Sequence, residues 1–229
     1  MERPKLLVFV RHPESLRNQQ MEGGKIFISD FERKKSGLIP DYKIPLTPNG
    51  IEQAKKLGVV LKREFGIFDI LIHSGYLRSK DATHYIFVSY TPEERKKIIV
   101  IQNILVRERD TGYTFFMTKE EVEKFFPFLQ THWNAQGPLF GIPPGGESLM
   151  MVTTRASIFL ESLYRDYPDK KICVVSHGNF IKSIHGIIQE LPFDEFLQEA
   201  NKPFPNCCVT AYEFSGTRIP KCVIHNHVF

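Results

Sequence analysis

Histidine, arginine and carboxylate residues stand at four points where short apolar runs end. Residues 6–10 (LLVFV) lead into Arg11-His12, and residues 172–175 (ICVV) into Ser176-His177-Gly178. Residues 70–72 lead into His73-Ser74, with Arg78 four residues beyond Ser74, and residues 98–101 lead through Asn103 to Arg107-Glu108-Arg109-Asp110. An imidazole is a nucleophile or base, a guanidinium grips an anion, and a carboxylate carries a proton. Taken singly, each point has an ordinary structural reading: a surface pair, a helix cap, a solvated helix residue, a surface salt bridge. Their meaning depends on whether one framework brings them to one place.

The framework is legible in the hydrophobic pattern. Continuous Val/Ile/Leu runs of this length suit strands covered on both faces. Between them lie helical patterns. Ile51, Ala54, Gly58, Leu61 and Phe65 recur at steps of three and four, with Thr47 placed to cap and Pro48 in the first helical position. A second stripe runs through Leu149, Val152, Ala156, Phe159 and Leu163, and residues 180–188 form a third segment. Strands alternating with helices predict an α/β fold, a three-layer α/β/α sandwich around a mostly parallel sheet. Residues 208–214 and 222–224 read as an edge hairpin. In such a sheet ligands bind at the carboxyl ends of the strands, so all four motifs arrive at one edge.

With 229 residues, 42% of them hydrophobic, the chain has the size of one domain spanning 1–229. Two irregular stretches, 19–45 and 111–145, are expected as insertions acting as lid or substrate-pocket elements. The formal net charge is +4, but basic residues are interspersed with 26 acids, which suits solvated helix faces and excludes a nucleic-acid patch. The four cysteines form no CxxC pair, so reduced, mostly buried thiols are expected, as in a cytoplasmic protein. No run approaches a membrane span or a signal peptide.

The ordered set of motifs resembles the histidine phosphatase superfamily, also called the phosphoglycerate mutase-like family, over nearly the whole chain. The resemblance rests on Arg11-His12 with Asn18, Pro45-Leu46-Thr47 with Gly50 and Gln53-Ala54, Ser74 with Arg78, and Glu108 before Gly112. Gly146-Glu147-Ser148 and Ser176-His177-Gly178-Asn179 complete it. Pro-Asp-Tyr-Lys-Ile-Pro-Leu-Thr at 40–47, and Asn206-Cys207-Cys208 leading into a strand, are most similar to the plant and bacterial phosphoglycerate mutase-like branch.

The resemblance implies that His12 is the nucleophile of a phosphohistidine mechanism, that Arg11, Arg78 and His177 bind phosphate, and that Glu108 is the proton donor, with its pKa raised toward the working pH. Cationic neighbours favour a neutral, nucleophilic His12. Asn18, Ser15 and Asn179 belong to the same motifs and are expected to contact substrate, as is Lys119 in the second insertion. Glu147 is placed to cap a helix. His73 borders the site, whereas His84, His132, His185, His225 and His227 have no motif context and are read as ordinary residues. No metal-ligand spacing is present, and neither metal nor cofactor is expected.

A small-molecule phosphomonoester is the expected partner, with no nucleic acid and no membrane. The mutases of the family use an Arg-Arg pair after the catalytic Glu, and residues 111–146 contain no arginine, only Lys119, Lys124 and many aromatics. That predicts a phosphatase with an apolar or aromatic substrate portion, mutase chemistry being the alternative. A third reading, a catalytically weak phospholigand-binding module, rests on Pro13, where the family usually has glycine.

Overall fold

The computed structural model describes residues 3–21, 27–216 and 218–229. Residues 22–26 of the first insertion and residue 217 of the edge hairpin lie outside the described residues. In chain order the elements are β1 (Leu6–Arg11), α1 (Leu16–Gln20), α2 (Asp30–Ser36), α3 (Pro48–Phe65), β2 (Ile70–His73) and α4 (Leu77–Val88). Then come α5 (Pro92–Arg95), β3 (Ile99–Gln102), α6 (Lys119–Phe125), α7 (Leu129–Phe140), α8 (Leu149–Asp166) and β4 (Lys171–Ser176). The chain closes with α9 (Gly178–Ile188), α10 (Phe193–Asn201), β5 (Val209–Glu213) and β6 (Lys221–His227).

The sheet order is β3-β2-β4-β1-β5-β6. The first four strands are mutually parallel, and the β5–β6 hairpin is antiparallel at one edge. Alternation along each strand divides the core in two. Leu7, Phe9, Ile70, Ile72, Ile172 and Val174 face one layer, with residues of α8 and α9; Val8, Val10, Leu71, Cys173 and Val175 face the other, with Leu57, Leu61, Ala82 and Ile86 of α3 and α4. Both faces being covered explains the unbroken apolar runs.

The helices start where the sequence places them. Thr47 accepts the Gly50 N–H and Pro48 opens α3; Ser148 accepts the Met151 N–H and caps α8. The stripe expected on α8, from Leu149 through Val152, Ala156 and Phe159 to Leu163, is buried.

Two expectations need correction. The run at 98–101 is not covered on both faces: β3 is an edge strand paired only with β2, and Ile99 and Val100 are 60% and 45% exposed. Neither insertion is irregular: Ser29 and Glu32 form a reciprocal capping box that starts α2, and Thr118 and Glu121 form one that starts α6. Helix α7 follows and breaks at Gly137, whose φ of 74° precedes Pro138. Arg33 of α2 pairs with Glu121 of α6, joining the two insertions.

The four cysteines are free, three buried and Cys222 half-buried. No helix among the described residues is long and apolar enough to cross a membrane.

Phe159 is fully buried and meets Phe180 edge-to-face at 5.7 Å, joining α8 to α9. Phe159→Ala is expected to cost roughly 3–5 kcal/mol. The measurement is chemical denaturation, where the midpoint should fall with an unchanged m-value; an unchanged midpoint would contradict this packing.

Candidate active site

Strand register builds the centre of the site. Arg11 lies opposite Ser176 across the parallel β1–β4 pair, so His12 and His177 leave neighbouring strands at the same level. Their ring centroids are 5.0 Å apart, and both side chains are buried. On the other side of β4, His73 pairs with Val175, which brings the following Ser74 to His177; Ser74 Oγ lies 2.9 Å from His177 Nε2.

His12 Nδ1 donates to the Pro13 carbonyl at 2.7 Å, and Arg78 Nε donates to His12 Nε2 at 3.3 Å. A carbonyl only accepts and a guanidinium only donates, so the proton sits on Nδ1 and the lone pair on Nε2. Burial holds the His12 pKa well below the ordinary value, and the charges of Arg78 and Arg11 push the same way. His177 is lowered for the same first reason, with Arg78, His12 and Arg11 adding to it. Two buried nitrogens have no protein partner here, Arg11 Nε and His177 Nδ1.

The loop after His12 is fixed from several sides. Asn206 Nδ2 donates to the His12 carbonyl at 2.8 Å and to Asn18 Oδ1 at 3.2 Å. Ser15 caps α1, and Asn18 Oδ1 receives the Ser15 N–H at 3.0 Å. Gly50 closes the loop from α3: a Cβ there would lie 2.0 Å from the Glu14 carbonyl oxygen, so only glycine permits this approach.

Glu108 is held by a second, charged assembly. Glu147 is buried and takes Arg107 at 2.5 Å, Arg155 at 3.1 Å and the Asp110 N–H at 3.0 Å. Burial raises its pKa, but the hydrogen bonds from Arg155 and Asp110 and the charges of Arg155 and Arg107 outweigh that and lower it. Arg155 also donates to the carbonyls of Leu105, Arg107 and Glu108. Glu147 is therefore the anchor of the segment that carries Glu108; the helix cap is Ser148 alone. Gly112, at φ 55°, lies so close to Pro144 that a Cβ would stand 2.1 Å from its carbonyl oxygen, which ties residues 110–112 to residues 144–147.

A cavity of about 530 Å³ opens over these groups, lined by Arg11, His12, Ser15, Asn18, Arg78 and Glu108. Both insertions contribute: Phe27 and Asp41 from the first, Phe115, Trp133 and Pro138 from the second. His177, Asn179 and Lys119 do not line it; His177 is wholly buried against His12 and Ser74. Asn179 turns into the first turn of α9, where its carbonyl accepts from Ser183, and Lys119 is exposed on α6 beside Glu123. His73 accepts the Gly75 N–H and is likewise set back from the cavity.

Arg17, Asp41 and Arg109 line the cavity without having been singled out as site residues. Arg109 stands in the charged run beside Glu108, and Asp41 in the 40–47 motif, so both had a sequence signal; Arg17 had only its place beside Asn18. Asp41 engages Arg78 through an ion pair at 2.9 Å, and its backbone carbonyl accepts from Arg78 at 2.7 Å. Arg17 donates to the Phe115 carbonyl and lies over the Phe115 ring.

The sequence profile of the histidine phosphatase superfamily (branch 1) matches residues 7–227, and the chain belongs to that superfamily of enzymes. It is 26% identical over 198 residues to the 2,3-bisphosphoglycerate-dependent phosphoglycerate mutase of Parvibaculum lavamentivorans, covering 85% of this chain and 84% of that one. It is 30% identical over 195 residues to the phosphoglycerate mutase-like protein AT74 of Arabidopsis thaliana, covering 80% of this chain and 55% of that one. Among solved structures, a mycobacterial glucosyl-3-phosphoglycerate phosphatase complexed with vanadate shares the fold, with a TM-score of 0.70 at 19% identity over 98% of this chain and 100% of that one.

Two imidazoles kept neutral by burial have a thermodynamic consequence. Below the ordinary histidine value of 6.5 the unfolded chain binds protons that folded His12 and His177 do not. Stability is therefore lost as pH falls below 6.5, with a slope approaching about 1.4 kcal/mol per pH unit for each group. His12→Asn is expected to flatten the decline of Tm with acid; an identical decline in both proteins would contradict the assignment.

Proposed function

We propose that this enzyme is a phosphomonoesterase working through a phosphohistidine on His12. The observation that carries the reading is the neutral Nε2 of His12, whose lone pair faces the Arg78 guanidinium on a cavity wall that Arg11 also lines. In the first step Nε2 forms a bond to phosphorus as the bond to the leaving oxygen breaks, and protonated Glu108 gives that oxygen its proton. In the second, Glu108 takes a proton from water, the new oxygen bonds to phosphorus, and the N–P bond breaks to restore neutral His12. Arg11, Arg78 and His177 meet the phosphoryl charge, with the two unpartnered nitrogens as donors for its oxygens.

The proposal gives Pro13 a role. Its carbonyl holds the His12 Nδ1 proton and so sets the nucleophilic tautomer, a contact for which the missing N–H of proline is irrelevant. The binding-module reading loses its main support by that contact.

The aromatic insertion suggests a substrate with an apolar portion beside Phe115 and Trp133. Mutase-type transfer is the second reading, favoured by Arg17 and Arg109 on the cavity wall and by the relatives' names. Both guanidiniums already have carbonyl partners, Phe115 for Arg17, and Glu147 and Gly141 for Arg109, which favours hydrolysis.

Incubation with an aryl phosphate is expected to release phosphate and to yield an acid-labile phosphoenzyme. His12→Ala should lose both, with turnover down by at least about 10³-fold, and Glu108→Gln should lose about 10²–10⁴-fold. Turnover that survives in His12→Ala would discard the nucleophile. Interconversion of 2- and 3-phosphoglycerate with little phosphate release would select the mutase, and neither turnover nor phosphoenzyme the binding module.

Asp41 occupies part of Arg78, so an incoming oxyanion competes with its carboxylate. Asp41→Asn is expected to lower the vanadate inhibition constant roughly two- to five-fold, the size of one partly exposed ion pair. Weaker vanadate inhibition would show instead that Asp41 serves to position Arg78.

A further inference from the structure

Among the described residues, one group of three potential metal ligands stands together: His185, Cys222 and His225, each with one ligand atom within 4.8 Å of the others. The group lies away from the catalytic cavity. His185 is eight residues beyond His177 on α9, a rise of roughly 12 Å, and Cys222 and His225 are on β6.

The surroundings of the two imidazoles are specific. Their rings stack with centroids 3.9 Å apart. Glu199, itself buried, accepts a hydrogen bond from His225 Nε2 at 3.0 Å. A carboxylate only accepts, so the neutral ring carries its proton on Nε2 and its lone pair on Nδ1. That Nδ1 is buried and has no partner. On the other ring, Nδ1 of His185 lies 2.7 Å from the hydroxyl oxygen of Tyr212. A hydroxyl can donate or accept, so either tautomer of His185 satisfies this contact; the one that donates from Nδ1 leaves the lone pair on Nε2.

We propose that His185, Cys222 and His225 form a site for a borderline-soft divalent cation of the zinc class, which fastens the edge strand β6 to α9 and α10. Two imidazole nitrogens and one thiolate are a characteristic zinc set, with a fourth position for water. A ligating histidine commonly gives its second ring N–H to a carboxylate or other oxygen, which fixes the ring and strengthens the ligand. Glu199 does this for His225, and Tyr212 would do it for His185 in the tautomer protonated on Nδ1. Zinc–nitrogen bonds of about 2.0–2.1 Å and a zinc–sulfur bond of about 2.3 Å require the three atoms to close by roughly 1 Å. Because the two rings stack with 20° between their planes, one must also turn for both lone pairs to meet the ion, and Cys222 and His225, half-buried on an edge strand, are the residues placed to move. On binding, the Cys222 thiol gives its proton to solvent and the sulfur becomes the anionic ligand. Because that proton competes with the ion for the sulfur, binding should weaken as pH falls. Lys202 is paired with Glu199 at 2.8 Å and remains its second partner.

Ligand spacing in the sequence gave no sign of this site because α10 and β5 intervene between His185 and Cys222. The inference is independent of the reaction at His12.

The test uses the full chain, stripped of metal, with Co²⁺ as the probe. One equivalent per chain should produce a thiolate-to-cobalt charge-transfer band and the intense visible bands of a four-coordinate ion, and Zn²⁺ should displace it. Cys222→Ser should abolish the charge-transfer band, and Glu199→Gln should weaken cobalt affinity about 10–100-fold. Zn²⁺ should raise the Tm of the wild type but not of Cys222→Ser, whose metal-free Tm serves as the folding control. His12→Ala should retain the full cobalt spectrum. A wild-type spectrum without a thiolate band, a band that survives in Cys222→Ser, or one lost in His12→Ala would overturn the site.

Discussion

Everything in the active site follows from the parallel pairing of β1 with β4. One register, Arg11 opposite Ser176, decides that His12 and His177 emerge side by side from residues more than 160 positions apart in the chain. A slip of either strand by one residue would turn its side chains to the opposite faces and separate the two imidazoles. The register is enforced by burial: Leu7, Phe9, Ile172 and Val174 belong to one core layer, and Val8, Val10, Cys173 and Val175 to the other. The histidine pair is thus specified by hydrophobic alternation in the strands that lead to it.

Charge is distributed around that pair with little left loose. Arg78 divides its donors between His12 and Asp41, and Arg155 spans Glu147 and three backbone carbonyls. Buried ions are tolerated where each has partners in good geometry, and removing one partner is then costly. The Glu147 assembly meets that condition and sets the direction of residues 107–110, where Glu108 stands.

The parallel strands and the histidines at their ends were legible because an unbroken apolar run, ended by a charged pair, has few other meanings. What such a run omits is its place in the sheet, and β3 was misjudged for that reason: a strand pattern does not say whether a neighbour exists on both sides. The second insertion was misjudged differently. Its Thr118–Glu121 capping box was present, but Phe125, Phe126, Phe128 and Trp133 follow no helical stripe, since several face solvent or the cavity. Arg17 reaches the site only through tertiary folding, and its contact with Phe115, like that of Asp41 with Arg78, spans residues far apart in the chain. Lys119 shows the converse, a residue of suitable chemistry in a suitable segment that the helix carries out to solvent.

The exposed margin at β3 has its own significance. Its outer backbone groups have no strand beyond them, and Ile99 and Val100 present apolar side chains there. An uncovered edge of that composition is a template for association between molecules. Two exposed lysines, Lys96 and Lys97, stand immediately before it. They place positive charge where a second copy would have to align, so that like-charge repulsion opposes edge-to-edge pairing at this strand.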